Sequence, residues 1–299
     1  MIENNHSTPQ VPQRVVVLGA SGFVGKDLCR QLKSADIPVL PLASAEIDLT
    51  QPQCLDQLRQ IIKEEDAVVF ASALTPDRGK DRAAMMKNVL MGHHFSQFLE
   101  QTSVAHLVHI SSDAVYSDEE EFIDETCCCN PSGLYGLGHL VRERMVQEAA
   151  SKIGVATTIL RLCAVYGPGD THNSYGPNRF WRTAKKDQRI VLFGKGEEKR
   201  DHVFVSDVSR IISFCQNLRS VGVLNVATGT AVSFGEVAKK IAGLAGAPVQ
   251  IECLERKNPI THKHYDIAAV IKAFPTFRFT PLEKGLATCF SDSSQVSRG

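Results

Sequence analysis

No charge of either sign prevails in this chain of 299 residues: Lys plus Arg and Asp plus Glu each number 33. The balance leaves no global field to draw nucleic acid or an acidic membrane surface, so neither partner is expected. Long hydrophobic runs are missing as well. None approaches the roughly 18 residues that a spanning helix needs, and the polar start over residues 1–10 lacks an apolar signal core. A cytoplasmic protein is the expectation. The nine cysteines form no C-x-x-C pair, their number is odd, and Cys127, Cys128 and Cys129 are adjacent, a poor arrangement for disulfides. Reduced thiols follow. His93-His94 has no third residue at ligand spacing, so no metal is expected. Internal repeats and low-complexity tracts are also absent.

What is present is an ordinary globular composition, with 43% hydrophobic and 22% charged residues, enough chain for one large α/β domain with a smaller lobe. Its organising stretch is Val15-Val16-Val17-Leu18-Gly19-Ala20-Ser21-Gly22-Phe23-Val24-Gly25. Four apolar residues read as a short buried strand, and residues 26–32 read as an amphipathic helix. The glycine turn between them has the spacing G-x-x-G-x-x-G. Such a turn brings backbone close to a pyrophosphate, and the helix start offers its free N–H groups and positive dipole end to that charge. Dinucleotide binding is the expectation.

Further strands are expected at 37–40, 67–70, 106–110 and 156–162, and helices at 52–63 after Thr50 as N-cap, at 83–100 and at 134–152. Strands alternating with helices specify a Rossmann-type, doubly wound parallel sheet in an α/β fold. Beyond Gly167 the pattern breaks into Pro- and Gly-punctuated irregular chain and short elements, among them strands at 190–193 and 202–205 and helices at 206–217 and 233–244. The expected division is a flexible arm over 1–13, a dinucleotide-binding domain over 14–167, and a smaller C-terminal substrate-binding region over 168–299, partly interleaved with the first. The strand ends carry the candidate chemistry. Ala71-Ser72-Ala73 is small enough for a nucleotide to lie against the backbone. Ser111-Ser112-Asp113 follows the fourth strand. Tyr135 and His139 lie one turn apart on one face of the 134–152 helix.

Several separate motifs carry a resemblance. Gly19-Ala20-Ser21-Gly22-Phe23-Val24-Gly25, Asp48-Leu49, Ala71-Ser72-Ala73, Asn88, Ser112-Asp113-Ala114-Val115-Tyr116, residues 161–169 and residues 200–208 together resemble the extended short-chain dehydrogenase/reductases, the class of nucleotide-sugar epimerases, dehydratases and ketoreductases. The resemblance spans about residues 14–287. It implies NAD or NADP held by Gly19, Ser21, Gly22, Phe23, Val24, Gly25, Asp48, Leu49, Ala71, Ser72, Ala73, Asn88, Tyr135 and His139, with Ser112, Tyr135 and His139 catalytic. It also implies a nucleotide sugar bound by Asp113, Arg179, Val191, Phe193 and Arg200, and a homodimer built on helices 83–100 and 134–152. Met85, Met86 and Met91 lie on the first of those helices.

One departure stands out: the family's Tyr-x-x-x-Lys reads Tyr135-x-x-x-His139 here. A phenol with a pKa of about 10 is a poor base at neutral pH, and a cationic neighbour corrects this by favouring phenolate. Histidine, at about 6.5, is mostly neutral at pH 7. Three readings stand open: partial substitution by His139 in a working enzyme, lost or slowed chemistry in a dinucleotide-binding protein, or another cation such as Lys87 or Lys152. Ala114 stands where the family's dehydratases carry an acid, which disfavours dehydration and leaves epimerisation or ketone reduction. No acid directly follows the second strand before Glu46, and no arginine stands there, so NAD and NADP are not separated. An NAD(P)-dependent epimerase or ketoreductase of a nucleotide-linked sugar is the leading reading, and a catalytically weak or inactive sensor or partner subunit is its rival.

Overall fold

The computed structural model describes residues 2–170 and 172–291. After β1 (Glu3–Asn4) comes β2 (Val15–Leu18), whose four side chains are all buried. Burial without alternation marks a parallel strand covered on both faces. Val15 and Val17 enter one core, while Val16 and Leu18 enter the other. α1 (Phe23–Ser34) turns Phe23, Leu28, Cys29 and Leu32 inward. β3 (Val39–Leu42), α2 (Cys54–Ile61), β4 (Ala67–Phe70) and α3 (Arg82–Leu99) continue the alternation. Asp81 caps α3 by accepting the Ala84 N–H at 2.9 Å. β5 (His106–Ser112) runs into a 3-10 turn over Asp113–Val115, and β6 (Phe122–Ile123) precedes the 19-residue α4 (Leu134–Lys152).

The later chain contributes β7 (Thr157–Leu162), β8 (Ala164–Tyr166), α5 (Pro177–Asp187), β9 (Arg189–Phe193) and β10 (Lys199–Phe204). It continues with α6 (Val205–Asn217), β11 (Ser220–Val226), β12 (Ala231–Ser233) and α7 (Phe234–Leu244). β13 (Gln250–Leu254), β14 (His264–Tyr265), α8 (Ala268–Ala273) and α9 (Leu282–Ser291) complete the described residues.

Seven strands form the main sheet in the order β1-β11-β7-β5-β4-β2-β3, parallel throughout except for β1. Helices α2, α3 and α4 cover one face, and α1, α6 and α8 the other. The direction of winding reverses between β2 and β4, and the carboxyl ends at such a switch point form the crevice where ligands bind. Leu18, Phe70 and His109 lie in register across β2, β4 and β5, so β5 projects three residues further and raises Ser112 above the sheet edge. A separate core of Tyr166, Phe180, Trp181, Ile190, Leu192, Phe234 and Val237 builds the smaller region, while α6 and β11 return to the main sheet.

Local differences have physical causes. Glu3 and Asn4, expected in a loose arm, pair antiparallel with Val221 and Ser220, because the edge of β11 offers free backbone groups that two polar residues can meet. β3 begins at Val39, two residues later than the apolar run suggested. Thr50 is not the cap of α2, which starts at Cys54; instead its N–H and hydroxyl both donate to Asp48. Residues 292–299 of the expected second region lie outside the described residues.

Candidate active site

The glycine turn is close-packed. At Gly19, with φ +94°, an added Cβ would lie 2.7 Å from the Ser72 nitrogen, and at Gly25 only 2.3 Å from the Gly19 carbonyl oxygen. The loop therefore lies directly against the end of β4, and only glycine allows it. α1 has no side-chain cap and no acid in its first turn, which leaves its N-terminal dipole end uncompensated. Ser21 is exposed, Val24 is half-buried and Phe23 is buried. Ala71, Ser72 and Ala73 are half-buried beside the loop. Backbone N–H groups, an uncompensated helix start and small side chains are what a dinucleotide pyrophosphate needs to approach closely, so these residues fit that group.

Neighbouring residues surround the cradle. Asn88 is buried and clamps the backbone after β4, accepting from the Leu74 N–H at 2.7 Å and donating to its carbonyl at 2.9 Å. Leu49 is in the core, and its carbonyl accepts from His94 Nδ1 at 2.8 Å. Asp48 is exposed. Glu46 folds back so that its carboxylate accepts the Ala43 N–H at 2.8 Å, which returns an acid to the end of β3 despite the three residues between.

Ser112, Tyr135 and His139 meet above β5. Burial pushes the Tyr135 phenol up to about 12, opposed by the neighbouring Ser112 hydroxyl and by the charge of Arg142, and reinforced by Asp113 and Asp77. The Tyr135 and His139 rings pack edge to face with centroids 4.6 Å apart. His139 is buried, and neither ring nitrogen has a hydrogen-bond partner among the described residues. Desolvation and nearby Arg142 drive its pKa down to about 3, so the imidazole is neutral at pH 7 and is not a cation.

The two lysines considered as alternative cations do not serve either. Lys87 is exposed. Lys152 lies 17 residues along α4 from Tyr135, about 25 Å away, and pairs with Glu100 and Glu148, each at 3.0 Å. The cation in the site is Arg142, whose side chain is fully buried. Its Nη2 donates to the Ser72 carbonyl at 2.5 Å, and its guanidinium lies 4.7 Å from the centroid of the Phe70 ring. Positions 135, 139 and 142 share one helix face, a spacing legible in the sequence once the search extends past the fourth residue.

Of the residues expected to bind substrate, Asp113 accepts the Tyr265 hydroxyl at 2.5 Å. Arg200 donates to the Thr261 carbonyl at 2.6 Å and the Thr261 hydroxyl at 2.8 Å. The extended span from Thr261 to Tyr265 is at most about 14 Å, so residues 261–265 join Arg200 to Asp113. Glu198 lies 3.4 Å from Arg200 and 2.9 Å from Arg256. Glu198, Arg256 and Tyr265 are additions that no local motif announces. Val191 is half-buried in β9. Phe193 is exposed beside the Tyr175 ring, with centroids 5.3 Å apart. Arg179 is exposed; with Arg256 it favours the Tyr175 phenolate against burial, without a contact to Arg200. Among the described residues, no helix is long and apolar enough to cross a membrane and no cluster of His, Cys, Asp and Glu could hold a metal.

The family model described as "NAD dependent epimerase/dehydratase family" matches residues 15–227. Among solved structures, MoeE5 in complex with UDP-glucose and NAD is 26% identical, with a TM-score of 0.82 over 92% of this chain and 97% of that one. UDP-glucose 4-epimerase of Thermus thermophilus, solved with NAD, is 20% identical, with a TM-score of 0.81 over 92% and 97%. The NAD-dependent NDP-hexosamine 5,6-dehydratase TunA is 19% identical, with a TM-score of 0.79 over 93% and 96%.

Proposed function

Because the chain belongs to the NAD dependent epimerase/dehydratase family, we propose that it is an NAD-dependent epimerase or ketoreductase of a nucleotide-linked sugar, with Tyr135 as acid and base. The observation that carries this is the placement of Tyr135 at the start of α4 beside Ser112 at the projecting end of β5, on the same sheet edge as the glycine cradle. NAD bound in that cradle supplies the hydride acceptor. The phenolate of Tyr135 takes the proton of a sugar hydroxyl and returns it when the carbonyl is reduced. Ser112 donates its hydroxyl to the reacting oxygen, where charge develops. Arg200 offers a fork suited to a diphosphate, which would compete with its present carbonyl and hydroxyl acceptors. The carboxylate of Glu46 at the end of β3 favours the free ribose hydroxyls of NAD over a 2′-phosphate.

The test is incubation with NAD and a panel of UDP- and other nucleotide-linked sugars, with epimers and oxidised products separated chromatographically. Tyr135→Phe should lower turnover by ~10²-fold or more while NAD affinity by calorimetry stays within a few-fold. Equal turnover in both proteins overturns the assignment of Tyr135. NAD binding with silence across the panel favours the rival, a dinucleotide-binding protein without this chemistry.

The same reading extends to a homodimer, supported by the exposed Met86 and Leu90 on α3 and Leu134 and Leu137 on α4. Sedimentation of the intact chain distinguishes it from a monomer.

A further inference from the structure

We propose that Arg142, and not residue 139, supplies the positive charge that tunes the Tyr135 phenol, so that in this chain the cation has moved one helical turn along α4. The inference rests on the reading of Tyr135 as the acid and base. Three observations carry it. First, the guanidinium is fully buried with little to hold it: Nη2 reaches the Ser72 carbonyl, but Nε and Nη1 have no hydrogen-bond partner among the described residues. A buried cation without a carboxylate is costly, and a side chain that served only to fill space would be apolar.

Second, the neighbouring helix is cut to receive it. A Cβ on Gly92 of α3 would lie 2.7 Å from the Arg142 Cγ and 3.3 Å from its Cβ, so the stem of Arg142 occupies the space a larger residue would take. Third, the two histidine rings near it carry no charge. His139, one turn earlier on the same face, and His109 on β5 are both buried, with all four ring nitrogens unpartnered among the described residues, and both are held neutral by burial and by Arg142 itself.

The charged and titratable groups that bear on the phenol are Asp113 after β5, Asp77 in the loop after β4, and His139 and Arg142 on α4. Both aspartates oppose phenolate formation, the imidazole is neutral, and Arg142 alone among them favours phenolate. Burial lowers the Arg142 pKa to about 10, so it keeps its charge through neutral pH. Because Arg142 acts through Tyr135, it is a positioning residue in electrostatic terms.

Two readouts separate this from a packing role. Nitration of the cofactor-free protein by tetranitromethane at mildly alkaline pH consumes phenolate, and peptide mass spectrometry reads each tyrosine separately. Arg142→Met should slow nitration of Tyr135 about tenfold or more, and Arg142→Lys should restore it to within about threefold, with Tyr175 as the unchanged internal standard. In turnover with a nucleotide sugar, Arg142→Met should move the rising limb of the kcat–pH profile upward by about one unit, so that activity lost at neutral pH returns in alkali. Wild-type nitration of Tyr135 in Arg142→Met, or a uniform loss of kcat with an unmoved limb, overturns the proposal. If Tyr135→Phe turns over normally, the assignment of Tyr135 fails, whereas the nitration ratio still reports whether Arg142 acts on the phenol.

Discussion

Two buried arginines lie under the same end of the sheet, and they are treated in opposite ways. Arg161 on β7 holds Glu143 of α4 in a fork, Nε to one oxygen at 3.0 Å and Nη2 to the other at 2.7 Å. Its Nη1 donates to Tyr116, which in turn donates to Asn225, and Ser111 completes Glu143 at 2.6 Å. Every part of that charge pair is answered. Arg142, beside Glu143 on the same helix, has a carbonyl and an aromatic face and nothing of opposite sign in hydrogen-bond contact among the described residues. The paired arginine fixes where α4 sits on the sheet. The unpaired one leaves a field that a neighbouring phenol can feel, because a carboxylate partner would have cancelled it.

Acid is the strongest way to break this contrast. His106 and His139 have pKa values lowered to about 4 and about 3, His202 to about 3, and His109 lies well below its ordinary value. Below pH 6.5 the unfolded chain takes up protons on these rings that the folded chain refuses, so stability falls as pH falls through the window from about 6.5 to 4. Each group contributes up to ~1.4 kcal/mol per pH unit there, and together they approach ~5. Urea midpoints measured at pH 7, 6 and 5 should drop steeply, and a flat series would show that these rings are not held neutral.

Next in size is the paired side. Glu143→Gln strips Arg161 of its counter-charge and should cost about 3–5 kcal/mol in equilibrium unfolding, whereas Arg142→Met should leave the midpoint close to that of the wild type. Comparable losses in the two variants would erase the distinction between them.

The smallest of the three effects sharpens the comparison. His139→Lys places a second cation beside Arg142 in a buried site and should destabilise by ~3 kcal/mol, yet combining it with Arg142→Met should recover most of that loss. Additive effects in the double variant would mean that the two positions do not share one electrostatic site.

How much of this could be read along the chain depended on how local each feature is. The glycine turn and β2 were legible because strand, turn and helix are consecutive in sequence and each glycine meets backbone only a few residues or one strand away. Ser112 and Tyr135 followed from the same motifs at strand and helix ends. Arg142 was missed for a different reason: the tyrosine's partner was sought at the fourth residue, while the cation stands at the seventh on the same face. β3 slipped by two residues because the apolar run Ile37-Pro38-Val39-Leu40-Pro41-Leu42 offers two registers, and only pairing of Val39 with Val15 selects one. The link between Glu198 and Arg256 spans 58 residues and depends on β13 lying beside β9, a pairing no periodicity announces.

Residues 261–265 tie one end of the cleft to the other. Thr261 holds the guanidinium of Arg200, and four residues later the hydroxyl of Tyr265 holds Asp113 beside Ser112. The chain thereby carries its own ruler. On the proposed reading of Arg200 as diphosphate anchor and Ser112 as partner of the reacting oxygen, adding or removing a residue between those two points would change the distance from one to the other while leaving each chemically intact, so the length of molecule accepted would change before the reaction did.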